Sequence, residues 1–170
     1  MRFTTDNAEE TKRLGAALAA CLQPGDVVVL NGDLGAGKTQ FVQGLAQALG
    51  VQTEVTSPTF NILLSYAASL PGGGAGGEKP EGSRSQSIEL NHFDLYRLDS
   101  VDELEDIAYW EVLEGQGLSF IEWGDKFPEA MPDDYLELSL TAATDGTRTI
   151  NATPFGPRAQ ELLLAWKQFL

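Results

Sequence analysis

Residues 32 to 39 read Gly-Asp-Leu-Gly-Ala-Gly-Lys-Thr, a complete loop of the form G-x-x-x-x-G-K-[ST]. No other feature constrains the fold as much, because such a loop works only between a buried strand and the start of a helix. The flanking residues supply both. Asp26 to Asn31 is a short apolar run that reads as a buried strand, and Phe41, Leu45, Ala48 and Leu49 recur afterwards at helical spacing. Gly32, Gly35 and Gly37 let the backbone turn tightly and aim its N–H groups at an anion. Lys38 adds a positive charge for β- and γ-phosphates, and the Thr39 hydroxyl is a hard oxygen ligand suited to Mg²⁺. Bound phosphates would rest on a helix N-terminus, where the dipole favours negative charge.

With 170 residues, of which 42% are apolar, the chain is long enough for one domain with a sizeable core. The formal charge of −14 opposes direct contact with a nucleic-acid backbone, so any RNA is expected to be held by a partner. A lone cysteine, Cys21, excludes an intrachain disulfide and fits a reducing cytoplasm; it reads as a small core residue. The opening Met-Arg-Phe-Thr-Thr-Asp is too polar for a signal peptide, no stretch approaches membrane-spanning length, and no Cys/His cluster suggests zinc.

Along the chain, residues 6 to 22 predict a helix capped by Asp6 with Glu9 as its capping-box partner. Pro24-Gly25 breaks the chain before the first strand, and Gly50 stops the helix after the loop. Phe60 to Tyr66 and Ser87 to Tyr96 predict two strands of an antiparallel hairpin. Between them, Leu70 to Gln86 carries five glycines within residues 72 to 77 and reads as a flexible loop whose deletion is tolerated. Residues 100 to 114 predict an acidic helix with Val101, Leu104, Ala108 and Val112 on one side; its seven acidic residues from Asp99 to Glu114 read as a solvated face. Leu118 to Glu122 is an apolar strand ending in a carboxylate. Tyr135 to Leu140 and Thr147 to Thr153 flank an Asp145-Gly146 turn. Pro157 opens a last helix through Leu170, with Leu162, Leu163, Trp166 and Phe169 inward. The alternation predicts an α/β sandwich around a mostly parallel sheet that carries one antiparallel hairpin.

A phosphate loop needs a second carboxylate for Mg²⁺ and a group to place the attacking water. Glu122, at a strand end where open α/β sheets form their crevice, and Asp94, within Asn91-His-Phe-Asp-Leu-Tyr-Arg97, are the two candidates, either able to hold Mg²⁺ directly or through water. Thr56-Ser57-Pro58-Thr59 reads either as a segment that orders on a γ-phosphate or as a plain loop stiffened by Pro58. Trp123 fits a half-buried core position as well as a place beside a nucleotide. His92, the only histidine, reads as structural rather than catalytic.

Four motifs in this order, Gly32 to Thr39, Ser57-Pro-Thr-Phe60, His92-Phe-Asp-Leu-Tyr-Arg97 and Ile121-Glu-Trp123, resemble the TsaE (formerly YjeE) family, from the N-terminal helix to about Leu140. The resemblance implies a three-layer P-loop NTPase fold and an ATPase that is weak alone and stimulated by the TsaD and TsaB subunits. These carry out threonylcarbamoyl-adenosine modification of tRNA, and ATP turnover resets their complex. Transferred by position, Leu34, Gly35, Ala36, Gly37, Lys38 and Thr39 hold the phosphates, and Thr39 with Glu122 binds Mg²⁺. Lys38, Asp94 (a Walker-B-like carboxylate) and Glu122 carry the catalysis; Thr59 lies in the switch segment, and Trp123, Asp125 and Arg148 adjoin the nucleotide. A P-loop kinase acting on a small molecule shares the loop but lacks an Arg-rich lid here, with 11 Lys and Arg in the whole chain. A nucleotide-dependent docking module is the third reading.

Overall fold

The computed structural model of the protein describes residues 1–71 and 85–169. Its elements are β1 (Arg2–Thr5), α1 (Ala8–Ala19), β2 (Val27–Asn31), α2 (Lys38–Ala48), β3 (Leu63–Leu70), β4 (Gln86–Asp94), α3 (Glu103–Asp106), α4 (Tyr109–Leu113), β5 (Leu118–Glu122), two 3₁₀ turns (Gly124–Lys126 and Pro128–Ala130), β6 (Tyr135–Ala142), β7 (Arg148–Phe155) and α5 (Pro157–Lys167). All strands join one sheet in the order β1-β7-β6-β2-β5-β4-β3. The middle four, β6, β2, β5 and β4, run parallel.

The antiparallel share exceeds the single expected hairpin. Besides β3–β4, the Asp145-Gly146 turn folds β7 back on β6, and β1 adds antiparallel to β7. β1 is four residues of mixed polarity, Arg-Phe-Thr-Thr, too short and too polar to announce a strand.

β2 and β5 are buried at every position, as parallel strands covered on both faces must be. Alternate residues feed two cores. Val28, Leu30 and Phe120 pack with Leu18 of α1, Phe41 and Leu45 of α2, and Leu162 and Trp166 of α5. Val27, Val29 and Ile121 pack on the opposite face with Phe93, Leu104, Tyr109 and Phe127. Helices therefore cover both faces of a mixed α/β sheet. α1 and α2 cross with their backbones in contact. A Cβ on Gly44 would overlap the Lys12 carbonyl, and one on Gly15 would overlap that of Phe41.

Several local expectations shift. The cap of α1 is Asn7, whose side chain accepts from the Glu10 N–H at 2.9 Å while Glu10 accepts from the Asp6 N–H at 2.8 Å. Asp6 and Asn7 are equally good caps, and burial of Thr11, Leu14 and Leu18 selects the later register. The helix after the loop buries Val42 and Ala46 rather than Ala48. Phe60 to Ile62 is a turn, since the Pro58 carbonyl takes the N–H groups of both Asn61 and Ile62; β3 starts at Leu63 and Phe60 is 81% exposed. The acidic helix breaks at Ala108, which adopts φ 53°. An unbroken helix would set Leu104 and Tyr109 about 140° apart around its axis; the break lets both reach the core. Phe169 is 46% exposed because α5 ends at Lys167, before Phe169 can take a helical place, whereas Trp166 is buried with its Nε1 donating to the Leu14 carbonyl at 3.3 Å. Of the Gly-rich stretch, residues 72–84 lie outside the described residues, as does Leu170, the expected end of the last helix.

Candidate functional site

The loop between β2 and α2 curls over the N-terminus of α2. Gly37 caps that helix at φ 106°, and a Cβ there would stand 2.9 Å from the Arg148 Nε. Arg148, at the start of β7, thus lays its side chain against the loop, with Nε buried and unpartnered. Lys38, only 5% exposed, folds back so that Nζ donates to the carbonyls of Gly32 (2.6 Å) and Asp33 (3.1 Å) beneath the Trp123 ring, 4.2 Å from its centroid. Burial pulls the Lys38 pKa below that of an ordinary lysine. The carboxylates of Glu122, Asp94, Asp125 and Asp33 oppose the shift and favour the charged amine.

The parallel pairing of β4 with β5 makes Asp94 and Glu122 register partners, so two buried acids end adjacent strands side by side. Glu122 Oε1 accepts from the Thr39 hydroxyl at 3.1 Å and lies 2.8 Å from His92 Nε2. Asp94 Oδ2 accepts from the hydroxyls of Thr59 (2.7 Å) and Ser57 (3.2 Å), while Oδ1 accepts from the Tyr96 N–H at 2.9 Å. The 57–59 segment is thereby fastened to Asp94. Trp123 sits at φ 63°, a strained backbone for an aromatic residue, held by its N–H bond to the Leu30 carbonyl and by the Tyr96 ring 5.0 Å away.

These groups enclose a cavity of about 470 Å³. Of the residues singled out in the sequence, Leu34, Gly35, Gly37, Lys38, Thr39, Thr59, Asp94, Glu122 and Trp123 line it. Ala36 is buried behind the loop. Asp125 and Arg148 flank the cavity, Asp125 with its N–H bonded to Asn31 Oδ1 at 3.2 Å and Arg148 against Gly37. Sequence reasoning overlooked Ser57 on Asp94, His92 on Glu122, and Gln40 and Tyr96 in the lining. A signal for one of these existed: His92 stands two residues before Asp94 on β4, so the two side chains share one face of the strand.

Chemically, the site offers a glycine-rich loop, a fixed cation and two carboxylates. No group of three or more His, Cys, Asp or Glu suited to a metal ion occurs among the described residues. Mg²⁺ commonly takes one or two protein oxygens plus substrate phosphates, so Thr39 and Glu122 fit a cation that arrives with a phosphate ligand. No described helix is long and apolar enough to cross a membrane.

The family model for the threonylcarbamoyl adenosine biosynthesis protein TsaE matches residues 5–150. The tRNA threonylcarbamoyladenosine biosynthesis protein TsaE of Bacillus subtilis (strain 168) is 36% identical over 162 residues, 95% of this chain and 90% of that protein. The protein of the same name from Treponema pallidum (strain Nichols) is 39% identical over 150 residues, 88% of this chain and 98% of its own length. Among solved structures, the crystal structure of Bacillus subtilus YdiB superposes with a TM-score of 0.74 at 32% identity, covering 99% of this chain and 94% of that one. With the family model matching residues 5–150 and the two relatives 36% and 39% identical over most of their length, the protein belongs to the TsaE family of threonylcarbamoyl adenosine biosynthesis proteins.

Proposed function

We propose that the protein binds ATP with Mg²⁺ and hydrolyses it in the service of threonylcarbamoyladenosine modification of tRNA, acting on homologues of TsaD and TsaB so that turnover resets their complex. The observation that carries this reading is the convergence of Lys38, Thr39, Asp94 and Glu122 on one cavity at the C-terminal ends of β2, β4 and β5. Open α/β sheets bind their ligands there, and the fold is read as the three-layer P-loop NTPase fold.

The loop N–H groups and Lys38 would receive the phosphates, with Arg148 adjoining at Gly37. Thr39 and Glu122 would hold Mg²⁺, whose charge offsets that on the phosphate oxygens. Asp94 fixes the hydroxyls of Ser57 and Thr59, so one carboxylate sets both its own place and that of the switch segment. Trp123 and Asp125 belong to the nucleotide's surroundings in this reading. With a charge of −14, the chain reaches tRNA only through its partners. The reading implies a cytoplasmic protein of one domain.

The test is phosphate release from ATP by the purified chain with Mg²⁺, alone and with the TsaB–TsaD pair. Slow turnover that the pair stimulates and that Lys38→Ala abolishes is the expected result. Absence of both stimulation and binding to the pair overturns it, and stoichiometric phosphate transfer to a metabolite would replace it with a kinase. Should Glu122→Ala abolish hydrolysis yet sustain tRNA modification, a docking module whose surface ATP orders replaces the ATPase cycle.

A further inference from the structure

We propose that His92 is a positioning residue for Glu122, fixing which carboxylate oxygen faces the cavity; the proposal rests on Glu122 being the Mg²⁺ carboxylate of the reading above. His92 lies on β4 and is wholly buried. Its Nε2 stands 2.8 Å from Glu122 Oε1, and the same oxygen accepts from Thr39 at 3.1 Å. Nδ1 is buried with no partner. An ionised carboxylate can only accept, so Nε2 carries the proton in this bond.

Two donors on one oxygen divide the labour within Glu122. Oε1 is saturated, and Oε2, which has no partner among the described residues, is left to the cavity that Glu122 lines. Without the imidazole, the Thr39 hydroxyl alone holds Oε1, and the carboxylate turns more readily about its last torsion to offer either oxygen. Partners of this kind, which hold a metal ligand without touching the metal, matter by roughly 10–100-fold in metal affinity or activity.

Because His92 is the only histidine, ¹⁵N ring spectra of the histidine-labelled full chain report this one imidazole. The expected result is a proton on Nε2, donated to Glu122; a bare Nε2 overturns the proposal. His92→Leu removes the donor, while His92→Gln returns an amide N–H close to the position of Nε2. Calorimetric titration of ATP into each variant, with Mg²⁺ and then with EDTA, separates metal coordination from loop binding. The expected pattern is a roughly 10–100-fold loss of Mg²⁺-dependent affinity in His92→Leu, unchanged affinity in EDTA, and recovery to within a few-fold in His92→Gln. If His92→Leu does not fold, His92→Gln against His92→Asn, whose shorter amide falls short of Glu122, gives the same contrast. A Mg²⁺-dependent wild type whose donor-lacking variants match it overturns the His92 assignment alone. A wild type indifferent to Mg²⁺ removes the ATPase reading and this assignment together.

Discussion

The ε-ammonium of Lys38 rests on carbonyls of its own loop, under an indole ring, in a place that depresses its pKa. A buried cation of this kind opposes folding, which is the mark of a residue kept for function rather than stability. If the protein is the proposed ATPase, Lys38→Met lowers its kcat by about 10²–10³-fold, the scale of losing one preorganised charge-stabilising group, with a melting temperature equal to or above that of the wild type. Cys21 is the opposite case. Burial pushes its thiol up to about 11 from 9.0, against the pull of Arg158. The folded thiol stays protonated at neutral pH, so a thiol reagent at pH 8 should label it slowly in the native chain and at an ordinary rate in urea. A raised thiol pKa also means that the unfolded chain ionises first. This contribution to stability is intact below pH 9.0 and is lost as the pH rises toward about 11. Rapid native labelling would contradict both statements.

At the level of elements, the tightest fit is the crossing of α1 with α2, where Gly15 and Gly44 each abut the other helix's backbone. Gly44→Ala gains helix propensity of about 1 kcal/mol but must part the helices, and overpacking costs about 1–3 kcal/mol. A net loss of stability in urea denaturation is expected, and the proposed hydrolysis would fall as well because α2 carries Lys38 and Thr39 at its start. The strands and helices legible in the sequence were those with strong local patterns, such as the apolar runs of β2 and β5 and the loop joining β2 to α2. What was not legible depended on tertiary choice. Asn7 displaced Asp6 as a cap through the packing of Thr11 and Leu14, and Ala108 broke a helix so that Leu104 and Tyr109 could both be buried. The site divides the same way. Its residues were legible wherever a motif names them, but the bonds of Thr39 and His92 to Glu122, and of Ser57 and Thr59 to Asp94, join separate segments. Only the strand order brings those segments together.

Across the whole molecule, one ion pair spans most of the chain. Arg158 on α5 grips Asp26 just ahead of β2 through Nε (2.8 Å) and Nη2 (2.7 Å), and Nη2 also donates to the Cys21 carbonyl at 3.0 Å. Arg158→Ala strands a buried carboxylate and is expected to cost about 3 kcal/mol, read as a lower urea midpoint at unchanged slope. The net charge of −14 acts on the same scale. Self-repulsion weakens with screening, so raising salt from about 0.01 M to about 0.5 M should raise the melting temperature; a lower value would mean that attractive pairs dominate the surface. The two hairpin strands β3 and β4 leave a different legacy. Their pairing ends at Leu70 opposite Gln86, at the start of β4, whereas Asp94 closes the other end of that strand, about 25 Å away at the usual rise per residue. Leu70 and Gln86 thus lie at the end of the hairpin away from the cavity that Asp94 lines. A tag spliced between Leu70 and Gln86 would therefore join the sheet at the end of the hairpin opposite Asp94, and nucleotide binding by the tagged chain equal to that of the wild type is the expected outcome.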